Sequence, residues 1–300
     1  MHRTKTFTVK KLALALAIAG YTMGSAYAVL TSPTGTIQGR APVLSTITNG
    51  VEHAVDFAYS GGLKLMVGET ILMNYIYQDQ DGDLDATGSS THITWFSTPD
   101  GGTTRNTIST GVTHNSATSV GGAGGSSLVI PVSAVGEVIG VEIVEYSASG
   151  DPISGETITV LDTSVGGGGT GVTPPGPVLP NVTSVVPGIY AASDTSFATN
   201  LIGTATTLNV GDSYAFKLWL DADGDGQPDG TAPVDDHTGD FTYNWRLVGT
   251  SATDNVTAPA AGIDTTVTDA NFTVPTNVAG KLLTTSNDGV QGFNLAVDYN

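Results

Sequence analysis

The sequence predicts an all-β protein of two β-sandwich domains in tandem joined by a Gly/Pro-rich linker, and three observations carry that expectation. A unit made of a strand, an acidic turn and a tryptophan-bearing strand occurs twice. Only 13% of residues are charged, and Thr, Ser, Gly and Val dominate, which suits a turn-rich β protein rather than a disordered acidic tail. No stretch keeps a helical period. Asp81 and Asp223 are 142 residues apart and Trp95 and Trp245 are 150 apart, so the repeat marks duplicated domains rather than the small units of a solenoid.

The chain opens with His2, Arg3, Lys5, Lys10 and Lys11, an apolar run over residues 12–20 and an Ala26-Tyr27-Ala28 cleavage pattern. Residues 1–28 therefore read as a secretory signal peptide. The apolar run is shorter than the ~20 residues a spanning helix needs, and no transmembrane segment is expected in the mature chain. Loss of Arg3, Lys5, Lys10 and Lys11 leaves six basic residues against twenty-eight acidic ones, a charge of −22. Such a surface repels phosphate backbones, which argues against nucleic acid as a partner, and attracts divalent cations and basic surfaces. The chain has no cysteine, so each domain must hold together by burial alone even in an oxidising compartment.

Residues 29–41, rich in Pro, Thr and Gly, read as an N-terminal tether. The first domain is expected over residues 42–163. Its first long strand follows Val67-Gly68-Glu69, with Ile71, Met73, Tyr75 and Tyr77 turned inward. The turn Asp79-Gln80-Asp81-Gly82-Asp83 and the strand Ile93-Thr94-Trp95 come next. Later strands are expected at residues 127–131, 138–146 and 156–161, while the Gly-rich run 121–125 reads as a flexible loop. Residues 164–180 are the linker, flexible in its Gly half and extended in its Pro half, on which the second domain would swing.

The second domain is expected over residues 181–300 and repeats the order. Tyr214, Phe216, Leu218 and Leu220 alternate inward, the turn Asp221-Ala222-Asp223-Gly224-Asp225 follows, then Tyr243-Asn244-Trp245 after a loop eight residues longer. Asn287-Asp288-Gly289 reads as a hairpin turn before a last strand at residues 293–299. A tryptophan at matched positions in both middle strands suits a core in which an aromatic fills the space between two sheets. Both domains are therefore read as Ig-like β-sandwiches, another sandwich or jelly roll being the alternative.

The most specific local chemistry is acidic. Asp221, Asp223, Asp225 and Asp229, with Gly226 at the sixth position, place oxygen ligands at alternate positions as a hard cation such as Ca²⁺ requires. The twelfth position is Ala232 rather than a bidentate Glu. Asp79, Asp81, Asp83 and Asp85 keep the alternation, with Leu84 in the glycine place. The plainer reading is a repeated solvated turn, because Asp and Gly bond or bend locally at little cost. Trp219 lies between inward Leu218 and Leu220 and is expected on the outer face, as a contact for a partner or glycan, or beneath the long loop. His53, His92, His114 and His237 do not recur between the repeats, and no nucleophile elbow or zinc-helix motif is present. The chain is not expected to be an enzyme, and no catalytic residue is nominated.

The units spanning Tyr77 to Trp95 with Ile130 to Gly136, and Leu220 to Trp245 with Val274 to Gly280, resemble the bacterial Ig-like domains of the intimin and invasin group, the inverse autotransporters. With a signal peptide and two such domains, the whole chain resembles the small secreted exoproteins that accompany those transporters, of the Zir or Sin type. Intimins and invasins carry an N-terminal β-barrel that none of these residues suggests, and residues 295–300 show no sorting motif. The resemblance thus implies a secreted or cell-surface protein, passing through the periplasm in transit, that works through protein–protein interaction. The implied partner is an outer-membrane inverse autotransporter, in adhesion, virulence or contact with a host surface. A Ca²⁺-rigidified structural spacer or matrix protein and a glycan-binding module are the other classes the sequence leaves open.

Overall fold

The computed structural model describes residues 30–230 and 235–300, so the signal-peptide reading and Ala232 fall outside the described residues. Among the described residues, 30–38 and Gly39–Asn300 form separate units. Leu30 and Ile37 of the first are exposed and belong to no strand.

The second unit contains both sandwiches. In the first, β1 (Val43–Ser45), β2 (Asp56–Tyr59), β3 (Thr70–Gln78), β4 (Ile93–Thr98), β5 (Asn106–Ile108), β6 (Val112–Asn115), β7 (Ala123–Val129), β8 (Val138–Tyr146) and β9 (Ser154–Val160) follow in order. They form two antiparallel sheets, β1–β3–β7–β6 with β2 also on β3, and β5–β4–β8–β9. Chain neighbours that sit in opposite sheets give the Greek-key arrangement of an immunoglobulin-like sandwich. Ile71, Met73, Tyr75 and Tyr77 are fully buried, and Trp95, 1% exposed, fills the space between the sheets. The Trp95 indole N–H donates to Ser126 Oγ across that space at 2.9 Å, which satisfies the one polar atom of the ring.

The second sandwich comprises β10 (Val185–Ala191), β11 (Ser213–Leu220), β12 (Tyr243–Gly249), β13 (Ile263–Thr268), β14 (Phe272–Thr273), helix α1 (Asn277–Thr284) and β15 (Phe293–Tyr299). Its sheets are β10–β11–β14 and β13–β12–β15. Trp245 is 0% exposed and its indole N–H donates to the Ala270 carbonyl at 2.7 Å. The two tryptophans thus hold equivalent places, as the repeat implies.

Three expectations change. Residues 121–125 are only half loop, because Gly124 and Gly125 lie within β7. A Cβ on Gly124 would sit 2.5 Å from the Tyr75 ring and one on Gly125 2.4 Å from the Met73 carbonyl oxygen, so glycine is there for close approach rather than flexibility. Residues 277–284, read as non-helical, form α1, started by the Thr276 side chain that accepts from the Ala279 N–H. The turn at Asn287-Asp288-Gly289 therefore joins a helix to β15 instead of two strands.

The linker does not swing free along residues 164–180. The Val55 N–H donates to the Gly167 carbonyl at 2.8 Å, the Leu179 N–H to Leu65 at 2.8 Å and the Val67 N–H to Leu179 at 3.0 Å. Val178 is buried with the first core. Backbone groups that would otherwise need water are satisfied along the first sandwich, and an apolar side chain is buried with them. Asn181 Nδ2 then donates to the Val67 carbonyl at 3.0 Å, fixing the point from which the second sandwich begins.

Candidate functional site

The acidic residues separate into clusters and props. Asp79, Asp81 and Asp83 each bring one carboxylate oxygen within 4.8 Å of the others, and so do Asp221, Asp223 and Asp225. Either triad presents hard oxygen donors at a spacing a metal ion could use. Each loop is also held by its own backbone. Asp79 Oδ1 accepts the N–H groups of Asp81 (2.8 Å), Gly82 (3.0 Å) and Asp83 (3.3 Å), and Asp221 accepts those of Gly224 (2.9 Å) and Gly226 (3.2 Å). In the first loop, Asp81 also accepts the Arg40 N–H and Asp83 the Ser149 hydroxyl. In the second, Asp223 and Asp225 are exposed.

Asp85 and Asp229 stand outside these triads. Asp85 is buried and accepts the Tyr75 hydroxyl (2.9 Å), the Thr87 N–H (2.8 Å) and the Ala117 N–H (2.6 Å). Burial, followed by the Asp85 charge, pushes the Tyr75 hydroxyl well above its usual range, which keeps it a donor. Asp229 is exposed and accepts the N–H groups of Ala222 and Asp223, closing the second loop.

Trp219 is not on an open face. It is 4% exposed, donates its indole N–H to the Tyr190 hydroxyl at 2.9 Å and packs against Phe197, with ring centroids 5.7 Å apart. Strand alternation correctly turns it away from Leu218, but residues 190–197 cover that outer face. Sequence reading also passed over Glu145, which shares the inward phase of β8 with Ile139, Val141 and Ile143. That carboxylate is 0% exposed, accepts the N–H groups of Leu44 (2.8 Å) and Glu156 (2.9 Å) and lies 3.0 Å from His53 Nδ1. Burial raises its pKa more than these partners lower it.

The second sandwich carries a groove beside its last strand. Along the side where β10 and β15 face each other runs a groove of about 410 Å³, lined by Ile189, Leu201, Leu208, Phe216, Leu295 and Val297 among others. Leu295, Val297 and Tyr299 are only half-buried there. Its concave shape, mainly apolar lining and volume fall in the range that ligand-binding clefts occupy.

Comparison with family models and with curated proteins finds no match. No helix among the described residues is long and apolar enough to cross a membrane.

Proposed function

We propose that this chain is an exported tandem Ig-like protein that binds another protein at the bacterial outer surface, as partner or passenger of an inverse-autotransporter outer-membrane protein, in adhesion or host contact. The observation that carries the interaction reading is the apolar groove of the second sandwich. The signal-like start, the acidic charge and the resemblance of both repeats supply the place and the partner class. The test is to separate medium, outer membrane and periplasm of cells making the tagged mature protein, with and without EDTA. Release into the medium, or retention on the outer membrane, is expected; strict confinement to the periplasm contradicts the proposal.

A second reading is favoured by the two Asp triads. In it the loops bind Ca²⁺ and the protein is a stiffened spacer between cell surface and partner. A melting temperature that does not respond to Ca²⁺ or EDTA removes this reading. The glycan reading depended on an exposed Trp219 and is not carried forward.

A further inference from the structure

We infer that the groove and the outer edge of β15 accept an extended segment of a different polypeptide, apolar at alternate positions and basic or neutral between them, which adds to the sheet as its next strand. The inference deepens the interaction reading and rests on it.

Backbone phase shows which groups are available. Thr242 and Asn300 exchange both hydrogen bonds, each 3.1 Å. The pairs Asn244–Asp298 and Arg246–Ala296 share that phase, so these residues turn their N–H and C=O groups toward β12. Leu295, Val297 and Tyr299 turn theirs outward. Among the described residues no strand pairs with that edge.

The first sandwich supplies the template. Val141 and Ile143 pair with Trp95 and Ile93, as Val297 and Tyr299 pair with Trp245 and Tyr243. There β9 occupies the next position, with Val160 opposite Val141 and Ile158 opposite Ile143, and both β9 side chains are buried. The second sandwich leaves a groove at the corresponding place. An added strand would satisfy the outward backbone groups and fill the groove with alternate side chains in one step.

Chemistry narrows the occupant. The chain carries a formal charge of −18, and Arg246 beside β15 is already paired with Asp298 and Asp264. Like charge therefore disfavours a second copy and favours lysine or arginine on the exposed face of the incoming strand. A second β15 meeting this one edge to edge would also leave both grooves empty, since its inward side chains already pack on their own core. In the N-terminal segment of another copy the exposed apolar residues Leu30 and Ile37 are seven positions apart, on opposite faces of any strand, and between them only Pro33 is apolar and it has no N–H to give.

The probe is a synthetic peptide with the sequence of β9, Ser154–Val160, carrying Thr157→Lys and Thr159→Lys. It is added to the full chain while amide exchange is followed. The expected result is that exchange at Val297 and Tyr299, the places equivalent to Val141 and Ile143, slows by about tenfold at a peptide concentration about ten times its Kd, while a peptide with Ile158→Pro has no effect. No slowing at millimolar peptide overturns the inference. Protection already present without peptide, accompanied by a dimer in sedimentation, assigns the edge to a second copy and also overturns it. Periplasmic confinement in the fractionation test together with peptide-induced protection would remove the surface-partner reading but keep the edge; the reverse pair of results would remove only the edge.

Discussion

β8 and β15 stand at the same place in two copies of one sandwich, and their surroundings differ by one strand. β8 lies between β4 and β9, and its Ile139, Val141 and Ile143 are all 0% exposed. β15 has β12 on one side, and its Leu295, Val297 and Tyr299 remain half-buried. The lesson is that alternation directs side chains toward a core, whereas only a neighbouring strand closes that core and its backbone edge. One sandwich is thus a finished building block and the other presents a surface.

This contrast predicts two separate melting steps in calorimetry, with the second sandwich unfolding first. The largest effects come from the tryptophans. Trp245→Ala and Trp95→Ala should each cost about 3–5 kcal/mol. The first should abolish the lower step and the second should lower the upper one; a single merged transition in both variants would break the comparison.

Next come the aspartates that follow the acidic turns. Asp85→Ala leaves the Tyr75 hydroxyl and the Thr87 and Ala117 N–H groups without their buried acceptor, at a cost of about 3 kcal/mol. Asp229→Ala acts on an exposed loop and should cost about 0.5 kcal/mol. Urea titrations of the two variants measure the difference, and equal losses would show that the two loops are supported alike.

Acid should separate the sandwiches further. In the first, burial raises the Glu145 pKa above its ordinary 4.5 even though the Leu44 and Glu156 N–H groups and His53 favour its charged form. The folded state therefore holds that proton more tightly, so this contribution is full below pH 4.5 and is lost as pH rises through the folded pKa. In the second, the Ser286 and Ser251 hydroxyls and the Asn287 N–H lower Asp254 from 3.8 to about 2. Its contribution is present above pH 3.8 and is lost as pH falls through about 2. Melting followed from pH 7 to pH 2 should show Glu145→Gln flattening the first trend and Asp254→Asn the second.

The smallest expected effect is that of Ca²⁺. Asp81 and Asp83 are engaged by Arg40 and Ser149, while Asp223 and Asp225 are exposed. Ca²⁺ should therefore raise the lower melting step by a few degrees at most and the upper one less, since about 1 kcal/mol moves Tm by roughly 2–8 °C across domains of about 60 to 250 residues. A larger rise in the upper step would reverse the assignment.

Much of this contrast's framework is written in the residues. Tyr75, Tyr77, Phe216 and Leu218 are buried because a period of two assigns them inward, and the paired tryptophans locate both cores. What alternation leaves out is what lies over the other face. Trp219 points away from Leu218 as its phase requires, yet residues 190–197 bury it. The linker glycines look flexible by composition, but their backbone groups find partners on the first sandwich. The acidic triads were legible from spacing, whereas the roles of Asp85 and Asp229 as props depend on donors such as Ala117 N–H that are distant in sequence or formed by the loop itself. The groove was least legible, since it arises from a pairing that β15 does not make.

The most direct test compares amide exchange along the two equivalent strands in the free, monomeric chain. The account predicts slow exchange at Val141 and Ile143, which pair with β9, and fast exchange at Val297 and Tyr299, under conditions where Ala296 and Asp298 stay protected by β12. Equal protection of both sets would contradict it, because the edge of β15 would then already be filled.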